Sequence, residues 1–159
     1  MKKYIAIDIG GTQIRVAVFP ENSIEFEKQK KIPTQGDGKT PIERLLALLE
    51  EIWPADGEVQ SIAMAAPGYL DPDAGIVITA PNIPGWKNLP VSALIREKFN
   101  VPVYLGNDAN LAALGEWKFG AGRNHHNVFY LTVSTGVGGG VIINDRLLLG
   151  ANGLAAELG

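Results

Sequence analysis

The chain has no cysteine, only two histidines and no long basic run. Without cysteine these residues hold neither a disulfide nor a thiolate metal site, which agrees with a reducing compartment. Without a basic run, and with a formal net charge of −3, the electrostatic footprint of nucleic-acid binding is missing, and no nucleic-acid partner is expected. No uncharged apolar run approaches the ~20 residues a membrane helix requires, so no membrane partner is expected either. Lys2-Lys3 ahead of an apolar stretch resembles the start of a signal peptide, but Asp8 interrupts the stretch and a glycine turn follows. The segment reads as the first β-strand of a cytoplasmic protein. What is plentiful is apolar residue, 46% against 19% charged in 159 residues, a soluble composition with enough chain for a core of its own.

Residues 4–9 are almost wholly apolar and rich in isoleucine, the pattern of a strand covered on both faces. Gly10-Gly11-Thr12 breaks the run, and alternation from Ile14 to Phe19 gives a second strand. Residues 23–32 read as a third, more exposed strand. Thr40-Pro41-Ile42-Glu43 is a capping box with proline at the first helical position. Behind it Ile42, Leu45, Leu49, Ile52 and Trp53 share one helical face, and Pro54 and Gly57 end the helix. Strands are expected at 59–66 and 76–79, a proline-rich loop at 80–86, a short helix at 92–99, a strand at 101–105 and a helix at 107–117. Gly120-Ala121-Gly122-Arg123-Asn124 is the candidate linker, with strands at 128–133 and 141–143 beyond it. Residues 4–19 and 128–143 share one design (apolar strand, glycine-rich turn with threonine, then a strand), the mark of a degenerate internal repeat. Two such turns suggest two facing lobes that each offer backbone N–H groups to a phosphate.

Glycine lets backbone approach a phosphate closely. Both turns lead into strands, which excludes the Rossmann strand-to-helix loop, and no G-x-x-x-x-G-K-[ST] occurs, which excludes a P-loop. In Asp8-Ile9-Gly10-Gly11-Thr12 the carboxylate either sits near Mg²⁺, often through water, or accepts N–H bonds in a tight hairpin. Thr135-Gly136-Val137-Gly138-Gly139-Gly140 is richer in glycine than a plain hairpin requires, which favours phosphate binding over a structural bend. Asn107-Asp108 opens a helix directly after a strand. It reads as an ordinary cap, as a base at a site where the helix favours anions, or as both. Asn82 lies on a loop held by two prolines, suited to sugar hydroxyls or to closing a turn. Trp86 reads as packing, Glu157 as a terminal residue, and the adjacent pair His125-His126 as surface loop and not a metal site.

Taken in order, Asp8-Ile9-Gly10-Gly11-Thr12, Pro67-Gly68, Pro81-Asn82-Ile83-Pro84-Gly85-Trp86, Gly106-Asn107-Asp108-Ala109-Asn110 with Ala112, Gly115 and Glu116, Ser134 to Gly140, and Gly153 with Ala156-Glu157-Leu158-Gly159 resemble the ROK family of sugar kinases and sugar-responsive repressors. Each is weak alone; the ordered set is specific. The resemblance implies the α/β, actin-like (ribonuclease-H-like) ATPase fold, with a sugar-binding N-terminal lobe at 1–122 and the first strands of a nucleotide-binding C-terminal lobe at 123–159. It implies ATP and Mg²⁺ as cofactors and a hexose, glucose first, as substrate. Asp8, Gly10, Gly11 and Thr12 would meet the transferring phosphate and the metal, and Thr135, Gly136 and Gly138 the nucleotide. Gly68, Asn82, Asn107, Asp108 and Glu157 would line the sugar site, with Asp108 the catalytic base.

In the family a histidine, a cysteine-rich structural zinc motif and further helices follow the Glu-Leu-Gly at which this chain stops. The chain is therefore expected to be a truncation without useful kinase activity, lacking the zinc ligands by position. Its strands at 128–133 and 141–149 would lack neighbours and favour self-association, and a homo-oligomer is expected. The alternative is the sugar-sensing part of a ROK repressor. Those proteins carry a DNA-binding module ahead of the first glycine turn, where this chain has seven residues before Asp8.

Overall fold

The computed structural model describes residues 1–133, 137–150, 153 and 155, and they divide into two compact units, Met1–Gly106 and Asn107–Gly159.

The first unit opens with β1 (Lys2–Ile9), β2 (Gln13–Pro20) and β3 (Lys28–Pro33), followed by α1 (Pro41–Ile52) and β4 (Glu58–Ala66). Then come β5 (Tyr69–Asp71), β6 (Ile76–Thr79), β7 (Lys87–Leu89), α2 (Val91–Phe99) and β8 (Val103–Asn107). The main sheet has the order β3-β2-β1-β4-β8, and β5-β6-β7 forms a small second sheet. β1 pairs antiparallel with β2 and parallel with β4, so the chain leaves β1 and β4 at the same end of the sheet.

β1 is covered on one face and not on both. Ile5, Ile7 and Ile9 are buried with Leu45, Leu48, Leu49 and Ile52 of α1, while Tyr4 and Asp8 on the opposite face are exposed. An unbroken apolar run promised two covers; the isoleucines fall on every second residue, and the open face carries Tyr4, Ala6 and Asp8. Lys3 also points inward and is 3% exposed, its ammonium bonded to the carboxylates of Glu27 and, at 3.0 Å, of Asp56. Those bonds, Glu27 first, raise the lysine above its ordinary value and hold Asp56 below its own.

α1 is the element most fully specified by its neighbours in sequence. Glu43 N–H donates to the Thr40 hydroxyl, and the Glu43 carboxylate accepts from the Thr40 backbone N–H at 2.7 Å, closing the capping box. Thr40→Ala is expected to lower stability in urea titration by about 1 kcal/mol. The Thr40 backbone N–H, and after it the Thr40 hydroxyl, hold the Glu43 carboxyl below its ordinary 4.5. A depressed carboxyl stabilises the fold above its unfolded value, and that contribution disappears as pH falls through the folded one. The gap between parent and variant should therefore narrow on acidification below about 4.5.

The second unit holds α3 (Asp108–Phe119), β9 (Val128–Val133), β10 (Val137–Ile143) and β11 (Arg146–Leu147), with strand order β11-β10-β9 and α3 packed on β9 and β10. β9 and β10 pair antiparallel, as β1 and β2 do, and the residues between them, 134–136, lie outside the described residues. β10 begins earlier than composition suggested, because Gly138, Gly139 and Gly140 pair with Thr132, Leu131 and Tyr130. A Cβ on Gly140 would stand 2.6 Å from Ala113 Cβ and 3.0 Å from the Ala109 carbonyl. Close approach of α3 demands glycine there, and ladder bonds outweigh glycine's poor strand propensity. β10 has neighbours on both sides. Among the described residues β9 is one edge and β11 the other, and on β9 Phe129, Leu131 and Val133 are exposed.

The expected linker is a closed turn. Gly120 and Gly122 N–H both donate to the Glu116 carbonyl at 3.0 Å, Ala121 N–H to the Glu116 carboxylate, and Trp117 Nε1–H to His125 O at 2.8 Å. His126 Nδ1 lies 2.8 Å from the Asp145 carboxylate on the surface. Among the described residues no helix is long and apolar enough to cross a membrane.

Candidate active site

In the first unit the glycine turn joins β1 to β2. Gly10 N–H donates to Gln13 O at 2.9 Å and closes it. Gly10 O accepts the Thr34 hydroxyl at 2.6 Å, and Thr12 O accepts the Thr34 N–H at 2.9 Å. Among the described residues no hydrogen bond takes the N–H of Gly11 or Thr12. Asp8 stands one strand residue before the turn, 58% exposed, with its carboxylate 3.9 Å from Arg15 NH1 of the neighbouring strand.

Against this turn lies the proline-rich loop. A Cβ on Gly11 would fall 2.7 Å from the Asn82 carbonyl oxygen and 2.9 Å from Asn82 Cβ, so backbone meets backbone only because residue 11 has no side chain. The loop is rigid for local reasons. Ala80 N–H donates to Trp86 O at 3.0 Å, Ile83 N–H to Ala80 O at 2.9 Å, and Trp86 is 3% exposed in the core. Trp86 is therefore packing, and Asn82 sits exposed on a fixed frame. Gly68 has φ +89°, and a Cβ there would stand 2.2 Å from Thr79 O and 3.1 Å from Ala80 Cα, at the root of the same loop. The structure thus gathers Gly10, Gly11, Thr12, Gly68 and Asn82 from three separated segments.

In the second unit Asn107, and not Asp108, is the N-cap. Its side-chain oxygen accepts from Ala109 N–H at 3.0 Å and Asn110 N–H at 3.2 Å, which leaves the amide NH₂ to donate elsewhere. Asp108 is the first helical residue, exposed, with one carboxylate oxygen accepting Ala109 N–H at 2.8 Å. Gly138 lies in β10 against Thr132 and Ala109. Thr135, Gly136 and Glu157 lie outside the described residues.

The sequence profile of the ROK family matches residues 4–159. The chain belongs to the ROK family. A glucokinase of Thermotoga maritima is 38% identical over 160 residues, covering 99% of this chain and 50% of its own. The ROK family glucokinase from Streptomyces griseus, solved in complex with glucose and AMPPNP, superposes with a TM-score of 0.86 at 35% identity over 99% of this chain and 49% of its own. The xylose repressor of Bacillus subtilis is 46% identical over 98 residues, 62% of this chain and 25% of its own. This ROK chain spans about half the length of the curated glucokinases it matches. Its mixed α/β architecture is that of the ROK glucokinases, the actin-like ATPase fold.

The residues of this ROK chain fit the nucleotide and metal that the family implies. The Gly11 and Thr12 N–H groups, which no hydrogen bond among the described residues takes, suit phosphate oxygens. Among the described residues no group of three His, Cys, Asp or Glu could cage a metal. Magnesium on a nucleotide is commonly held by one or two carboxylates, water and phosphate, a set to which an exposed Asp8 can contribute. Thr34 and Arg44 escaped the sequence reading. Arg44 donates from Nε to Pro33 O at 3.0 Å and from NH1 to Asp37 at 2.6 Å. The signal available was an arginine two residues inside the apolar face of an amphipathic helix, which needs a buried acceptor.

Proposed function

We propose that the whole protein is an ATP-dependent hexose kinase, with glucose the first sugar to test. The observation that carries the reading is the contact between the glycine turn and the Asn82 loop: a phosphate cradle and an exposed amide suited to sugar hydroxyls abut within one unit. The glucokinases among its relatives support it.

In this reading 1–122 serves as the sugar-binding lobe and 123–159 begins the nucleotide-binding lobe. Gly68, Asn82, the Asn107 amide, Asp108 and Glu157 hold the sugar. Gly10, Gly11 and Thr12 face the transferring phosphate, Thr135, Gly136 and Gly138 the nucleotide. Asp8 holds hydrated Mg²⁺, which when bound neutralises charge on the phosphates. Asp108 accepts the proton of the attacking hydroxyl on its carboxylate, which stands exposed at the start of α3. Alignment of the hydroxyl by the fixed loop supplies much of the rate, because phosphoryl transfer depends on positioning and charge neutralisation.

The full-length protein with glucose and ATP should form hexose phosphate at a rate on the order of 1–100 per second. The 159 residues alone should show no useful turnover. Full-length protein that binds sugar without turnover, and retains DNA in a sugar-dependent way, would replace this reading with that of a sugar-responsive repressor, the alternative that the xylose repressor match keeps in view.

A further inference from the structure

Thr34 is wholly buried, and both of its hydrogen-bond donors are spent on the glycine turn, the hydroxyl on Gly10 O at 2.6 Å and the N–H on Thr12 O at 2.9 Å. In a trans peptide the carbonyl and the following N–H point to opposite sides, and this chain has no cis peptide bond among its described residues. Holding Gly10 O inward therefore turns the Gly11 N–H outward. Flanked by two glycines, that peptide plane has no side chain to fix it and is free to rotate without the bond. Thr34 is itself fixed, since Arg44, 8% exposed, grips the carbonyl of the preceding Pro33.

We propose that Thr34 is a positioning residue for phosphoryl transfer, which aims the Gly11 N–H at the transferring phosphate by clamping the peptide between Gly10 and Gly11. The inference rests on the phosphate reading of the turn. A donor aimed in advance stabilises transition-state charge without reorganising, and Thr34 supplies that aim from outside the site.

The test uses full-length protein and three variants. Thr34→Val keeps the shape and the backbone bond to Thr12 but deletes the hydroxyl; Thr34→Ser keeps the hydroxyl. Thr34→Val is expected to lower kcat/KM for ATP by about 10–100-fold, somewhat less than outright removal of such a donor costs. Glucose affinity measured by calorimetry without nucleotide should stay at the parent value, and Thr34→Ser should recover most of the loss. Should Thr34→Val not fold, Thr34→Ala is judged by the same criteria. An unchanged kcat/KM for ATP, an equal loss of glucose affinity, or a serine variant as poor as valine would each overturn the proposal while the phosphate reading stands. A parent protein that binds no ATP would overturn both.

Discussion

Asp108→Asn in the full-length protein is expected to lower kcat for hexose phosphorylation by about 10²–10⁴-fold, the usual contribution of a positioned general base. The fold should not suffer. The N-cap of α3 belongs to Asn107, whose side-chain oxygen takes the N–H groups of Ala109 and Asn110. The bond from Ala109 N–H to an Asp108 carboxylate oxygen at 2.8 Å is one an asparagine oxygen can accept equally. The variant therefore keeps the cap of α3 and removes the proton acceptor. Sugar affinity should change far less than kcat, because an amide still bonds a hydroxyl. A variant within tenfold of the parent in kcat would remove Asp108 from the chemistry.

Gly11→Ala should damage the site with a single methyl. It would stand 2.7 Å from the Asn82 carbonyl oxygen, a backbone atom that cannot swing aside. The loop behind that oxygen is closed by its own hydrogen bonds and anchored by buried Trp86, and the turn is clamped by Thr34, so neither side yields cheaply. The strain displaces both, and kcat/KM should fall about 10²-fold for sugar and for ATP together, the cost of roughly an ångström of misplacement. Asn82→Ala should weaken the sugar alone. Gly10→Ala is the folding control: its methyl would meet only Gln13 O at 3.9 Å, an ordinary contact, so its urea midpoint should match the parent's. If Gly11→Ala weakens only one of the two ligands, the turn and the loop do not form one site.

The capping box and the two hairpins were legible because their determinants are local. The capping box lies within four consecutive residues, and both hairpins announce themselves by strand, glycine and strand. The ordered motifs then named the family that the profile match establishes. Where the sequence reading missed, the cause lay far along the chain. Nothing beside Lys3 in the sequence marks it as buried, because its partners are Glu27 and Asp56, 24 and 53 residues away. The glycines at 138 and 140 read as a turn, yet α3 occupies the space their side chains would need.

From its own order of residues the chain determined most of its strands and helices and the capping box of α1, since each of these depends on neighbours within a turn or a strand. Only the tertiary structure decided that β1 has one covered face, that Asn82 abuts Gly11, and that Thr34 holds the peptide between the two glycines. Those are meetings of segments separated by tens of residues, brought together by strand register and burial, and no local pattern encodes which backbone atom a remote side chain will find.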